Sequence, residues 1–209
     1  MMNKGEIKDN KVGVPHEHYC AKFRACDPRE MSAHSGVPYD EEKGVFTLRL
    51  LGRPVEVTWP EVSVTFRDNG EKAGAVVEIL LMRLLMVGTL RTAEGKFYAY
   101  AEMPWGNVYC EQFKGRCILR MAFGFGRDPE RFSKACEAVG GVASGFGDRS
   151  YDVEFIDGLT LRLILWEADE EFPPSTQILF SDNFHYAFEA EDMAVVGDIL
   201  LNTMKAAVS

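Results

Sequence analysis

The sequence predicts an α+β fold: a single domain, mainly antiparallel sheet, with a near-central helix and further helices packed on it. Three observations predict it. Several short runs alternate apolar and polar residues with period two, which buries one face of a strand and wets the other. One run, Ala75 to Val87 (AVVEILLMRLLMV), is apolar nearly all round, as a helix with neighbours on most sides would be. Two Asp-Pro pairs, Asp27-Pro28 and Asp128-Pro129, supply an N-cap followed by proline at the first helical position.

The elements follow in order. Residues 1–13 are polar and read as a flexible N-terminus, leaving 14–209 as the domain. Tyr19, Phe23 and Cys26 fall on one face of a short helix over 16–26. A second short helix starts at Asp27-Pro28 and stops at Gly36. Three alternating strands come next: VFTLRL from Val45, PVEVTW from Pro54 and VSVTF from Val62. Gly88 ends the central helix. FYAYAEMPW reads as a strand, and 109–125 contains a helix with Phe113, Cys117, Arg120 and Met121 in register. The helix from Pro129 carries Phe132, Cys136 and Val139 inward and ends at Gly140-Gly141. The strongest hairpin signal places Asp157-Gly158 between two alternating strands. TQILF forms a third strand of this meander, and a helix over 191–205 closes the chain, with acids at its start and Lys205 at its end.

Composition excludes some functions. The 209 residues carry a net charge of −9 and a pI near 5.0, so nucleic acid and anionic membrane are not expected partners. The 5 cysteines are widely spaced and odd in number, which reads as reduced thiols in a cytoplasmic protein rather than a disulfide framework. The polar start lacks the apolar core of a secretion signal, and 75–87 is too short to span a membrane.

The densest cluster of candidate chemistry is the acidic turn after the hairpin: Trp166, Glu167, Asp169, Glu170 and Glu171, closed by Pro173-Pro174. Its carboxylates either splay into water and guard a sheet edge, or share a cation or shift a pKa for acid/base work. The D-x-D-x-D-G spacing of a calcium loop is absent. Alternation puts Trp166 on the face opposite Leu165, toward a pocket, a partner, or a second buried side. The loop GGVASGFGD runs from helix to strand, the wrong order for a phosphate cradle, and Asp148 is expected to hold its turn. Trp105-Gly106, Tyr109 and Arg120 are further candidates, Arg120 needing a carboxylate such as Asp148 or one from the acidic loop. The four histidines show no metal-ligand spacing, and no nucleophile elbow occurs. Trp105, Arg120, Asp148, Trp166, Asp169 and Glu170 are therefore the ligand-binding candidates. No catalytic residue, metal site or cofactor is assigned.

Several segments, in order, resemble one family: PWGNVYCEQF, FGRDPERFSKACEAVGG, Gly147-Asp148, LILWEADEEFPPSTQILF and the terminal EDMAVV helix. The chain is similar to the family called domain of unknown function 3786 from about Leu80 onward, and more weakly through SGVPYDEEKGVFTLRLLGRPVEV upstream. The resemblance implies a presumed domain of bacteria and archaea, many anaerobic, with no assigned activity. Some members resemble fusions with a cysteine-rich iron–sulfur module. This N-terminus has no closely spaced cysteines, so no cluster is expected on this chain, and a partner carrying one is left open. Met82 stands where the resemblance leads one to expect a histidine.

Three roles are expected from this reading. The first is a non-catalytic cytoplasmic binding or accessory protein for a small ligand or a redox or cofactor protein. The alternative is an enzyme using the carboxylates of 167–171, with Trp166, Asp169 and Glu170 lining a cleft. The third is a homodimer formed over an exposed strand or aromatic face.

Overall fold

The structure, a computed structural model, describes residues 13–209. The expected loose N-terminus lies outside the described residues except for Gly13, which already opens helix α1 (Gly13–Ala25). Helix α2 (Pro28–Ser35) has the expected ends. The Asp27 carboxylate accepts the backbone N–H of Arg29 and Glu30, and Gly36 turns the chain at φ 77°.

Among the described residues all the strand pairings are antiparallel. Strands β1 (Tyr39–Asp40), β2 (Val45–Leu50), β3 (Arg53–Thr58) and β4 (Val64–Phe66) form one half of the sheet. Strands β5 (Phe97–Ala99), β6 (Val142–Ala143), β7 (Arg149–Ile156), β8 (Leu159–Trp166) and β9 (Ser175–Ser181) form the other. The spatial order is β4-β3-β2-β7-β8-β9-β5, with β1 beside β2 and β6 beside β7. The halves meet narrowly, at the pair Leu50↔Ile156 and a 2.8 Å bond from the Leu51 N–H to the Phe155 carbonyl. Arg49 reinforces this seam, donating from Nε to Asp157 at 2.8 Å and from Nη2 to Glu154 at 2.8 Å. The sequence anticipates β2, β3 and the β7–β8 hairpin. It does not show β1 or β6, because a two-residue strand is defined by its partner rather than by its own periodicity.

Helix α3 (Ala75–Val87) has the predicted bounds. Leu80, Leu81, Met82, Leu84 and Leu85 are all buried in it, and it packs against α1, α2 and the last helix, α8 (Ala190–Ala207). Met82 is a core residue, so a histidine at this position would be sealed from solvent. Arg83 breaks the apolar run. Its guanidinium donates to the Tyr19 hydroxyl on α1 and reaches Asp192 on α8, with Nε 2.6 Å from Oδ1 and Nη2 2.9 Å from Oδ2. Burial works against that charge, but the hydrogen bonds and charge of Asp192 outweigh it and hold Arg83 protonated.

The segment predicted as one helix over 109–125 is three joined pieces. Helix α4 (Gly106–Phe113) leads into a π turn (Lys114–Ile118) and helix α5 (Leu119–Phe125). The wide turn pushes Cys117 against α8, where a Cβ on Gly197 would sit 2.6 Å from its sulfur. Thr176 Oγ1 donates to the Ile118 carbonyl at 2.8 Å. Helix α6 (Pro129–Ala138) begins at its predicted Asp128 cap, whose carboxylate accepts the Arg131 N–H. A short helix, α7 (Phe184–Ala187), was not anticipated. One contiguous core runs from Cys20 to Met204 and joins both halves of the sheet to the helices. Among the described residues no helix is long and apolar enough to cross a membrane.

All the cysteines are free thiols. Burial pushes the Cys117 thiol up to about 12 and the Cys136 thiol higher, while Cys20 is also buried and raised. Titration of the native protein with a thiol-reactive disulfide at pH 8 should therefore label Cys26 and Cys110 quickly. Cys20, Cys117 and Cys136 should react only on unfolding; rapid reaction of all 5 thiols would contradict this packing.

A candidate binding cleft beside Trp105

The sequence-predicted candidates fall into four separate settings. Asp148 serves the turn, as expected: its Oδ2 accepts the Glu167 N–H at 2.8 Å and its own N–H donates to the Leu165 carbonyl at 3.1 Å. The Gly-rich loop thereby lies against β8. Gly147, at φ 57°, has room for no Cβ, which would meet Ile164 Cγ2 at 2.7 Å and the indole nitrogen of Trp166 at 3.2 Å. The loop thus covers part of the outer sheet face and leaves Trp166 38% exposed.

The acidic loop is a self-contained turn. Asp169 Oδ1 accepts the N–H of Glu171 at 2.8 Å and of Phe172 at 2.7 Å, and its own N–H donates to the Phe172 carbonyl at 3.1 Å. Glu167 sits 3.2 Å from Arg149 Nε. Glu170 and Glu171 are exposed. Residues 166–172 line none of the four described cavities. Among the described residues no three His, Cys, Asp or Glu side chains are grouped to hold a metal ion.

Arg120 pairs with neither Asp148 nor the acidic loop. It reaches across to α8, donating from Nη1 to Asp198 at 2.8 Å and from Nη2 to Asn202 at 2.7 Å. Asp198 also accepts from Arg116 Nε at 3.0 Å, so both arginines tie the π turn and α5 to α8. The helical register predicted for Arg120 holds for Phe113, Cys117 and Met121, which are buried; Arg120 lies off that face at 31% side-chain exposure.

Trp105 is different, because it borders a cleft of about 640 Å³. Tyr109, His185, Phe188, Glu189 and Glu191 share the lining. Local constraints make the wall. Gly106 begins α4 so close to the preceding 3₁₀ turn that a Cβ would fall 1.8 Å from the Tyr100 carbonyl oxygen. That close approach leaves Trp105 in the left-handed region, at φ 63°, and 78% exposed. Tyr100 itself is buried, stacks on Phe113 with ring centroids 4.1 Å apart, and donates its hydroxyl to the Ala190 carbonyl at 2.8 Å. This fixes the first residue of α8 beside the start of α4.

The opposite wall is the first turn of α8. Asp192, held by Arg83, accepts the Glu189 N–H at 3.3 Å, and Arg83 Nη2 lies 2.9 Å from Glu189 Oε2. The Glu191 carboxylate beside Tyr109 pushes the phenol pKa up. Tyr109 and Glu191 are also shared with an adjoining cavity of about 370 Å³ that extends to Gln112 and Arg116. The cleft thus combines the rings of Trp105, Tyr109, Phe188 and His185 with two carboxylates, on walls fixed by the core. Glu189 and Glu191 are members that sequence reasoning missed. The acids read simply as a helix start, and their distance along the chain from Trp105 removes any local spacing signal.

The fold and the cleft define a single α+β domain, an antiparallel sheet with helices on it and an aromatic, acidic recess where α4 meets α8. The chain belongs to the family described as domain of unknown function (DUF3786), whose family model matches residues 27–203. No curated protein and no solved structure matches it.

The left-handed conformation of Trp105 costs about 1 kcal/mol or more in a residue with a Cβ. At 78% exposure the indole has little packing to lose. Trp105→Gly should therefore raise the unfolding free energy by about 1 kcal/mol, read by urea denaturation. A fall of similar size would show that the indole is a structural anchor.

Proposed function

We propose that this chain is a non-catalytic, cytoplasmic binding or accessory protein, and that the cleft beside Trp105 holds its ligand. The ligand is a small molecule or a group presented by a redox or cofactor protein. The observation that carries this reading is the conformation of Trp105. A large aromatic ring sits in solvent, on a strained backbone, at the mouth of a cavity with rigid walls. Strain of this kind persists where the surrounding structure over-determines it, and it clusters at ligand-binding positions. The enzyme alternative at 167–171 gains no comparable support, since Asp169 is engaged by its own turn and Glu170 faces water.

The test is a thermal-shift panel of small cations, carboxylates, nucleotides, flavins and divalent metal salts, run on the wild type and on Trp105→Gly. A ligand of the cleft at one hundred times its Kd adds about 2.7 kcal/mol to stability. At least one class should raise the wild-type midpoint and leave the variant unmoved. A panel in which every shift is the same for the two proteins would overturn the cleft as the binding site.

A further inference from the structure

The cleft has a definite electrostatic character. Among the described residues, no lysine or arginine lines it. Arg83, behind the wall, is shared between Asp192 and Glu189, so with Glu191 at the rim three carboxylates face one cation. A helix N-terminus ordinarily attracts anions through about half a positive charge. Here that half charge faces two carboxylates, so the local balance is negative and an anion is repelled. Trp105 and Tyr109 add two rings whose faces carry the negative side of an aromatic quadrupole and can receive a cation. The buried Phe188 and Ala190 supply an apolar floor, with Val108 at its edge. At about 640 Å³ the recess is far larger than a bare metal ion needs and suits an organic molecule.

We infer that the cleft binds an organic cation: a guanidinium or primary ammonium group on an alkyl chain. The charged head lies against Glu191 and Glu189 with its face on Trp105, and the chain lies along the apolar floor. This rests on the cleft being the binding site. The same chemistry is offered by a free alkylguanidine or amine and by an arginine or lysine side chain of a partner.

Isothermal titration of the full chain with n-butylguanidine and with n-butylurea separates charge from shape, because the two differ chiefly in the positive charge. Butylguanidine should bind at least ten times more tightly than butylurea, and its affinity should fall as salt rises. Glu191→Gln keeps the size and polarity of the side chain and removes the charge, so it should weaken butylguanidine binding about tenfold while leaving butylurea unchanged. Trp105→Gly serves as the second variant and should weaken both. A capped peptide with one central arginine forms a further arm. Tighter binding of the peptide than of butylguanidine identifies the source as a partner side chain, and the reverse identifies a free small molecule. Equal binding of the charged and neutral probes, or no effect of Glu191→Gln in a folded variant, would overturn the cation inference. If a neutral or anionic compound binds in a Trp105-dependent way, the cleft stands and only its charge preference falls. If no compound depends on Trp105, both readings fall.

Discussion

A guanidinium in the middle of an otherwise apolar helix must find a counter-charge inside the protein, and Arg83 finds Asp192. Side-chain exposures of 18% and 10% mean that neither group is well hydrated. Removing one partner of such a pair strands the other charge, at a cost of about 3–5 kcal/mol. The pair also joins three helices, because Arg83 donates to Tyr19 on α1 from its place on α3 and holds Asp192 on α8. An apolar contact would let α8 slide or rotate. A hydrogen bond from Nη2 to the carboxylate, with Nε in ionic contact beside it, restrains its angle and depth.

The cleft inherits that precision. Asp192 accepts the Glu189 N–H, so the lock in the core sets where the first turn of α8 begins. Tyr100 binds the Ala190 carbonyl from the other side, and the Gly106 close approach sets Trp105 opposite. Farther along α8, Asp198 gathers Arg116 and Arg120 and keeps the π turn and α5 in step. The two walls are thus secured by buried polar contacts, while the rim is free to carry charge and aromatic surface. The acidic loop is organised oppositely. Its hydrogen bonds stay within the turn, and its glutamates face water, an arrangement suited to keeping a sheet end from pairing with another chain.

Much of the fold was legible because it is encoded locally. The Asp27 and Asp128 caps, the Asp157-Gly158 turn and the all-apolar 75–87 helix each carry their own signal, and each appears where the sequence places it. The π turn was not legible, since its extra residue is accommodated by Gly197 on α8, which lies far along the chain. Of the six candidate binding residues, Trp105 enters the cleft, while Arg120 went to Asp198 because α8, not the hairpin, packs beside it. Asp148 was legible as a turn holder, Trp166 only as a residue of the outer face. Asp169 and Glu170 drew attention by density of charge, yet density does not say whether side chains converge or splay. Convergence in the cleft comes from Glu189 and Glu191 meeting Trp105 through tertiary contacts.

The central claim is that the Arg83–Asp192 pair positions the cleft. Hydrogen exchange of the Arg83→Met variant, compared with the wild type, tests it most directly. Under conditions where the variant remains folded, amides at the start of α8 and of α4 should lose protection, while those of the β7–β8 hairpin keep their rank relative to the rest of the molecule. Uniform loss across the chain, or no change around 190–195, would contradict the account.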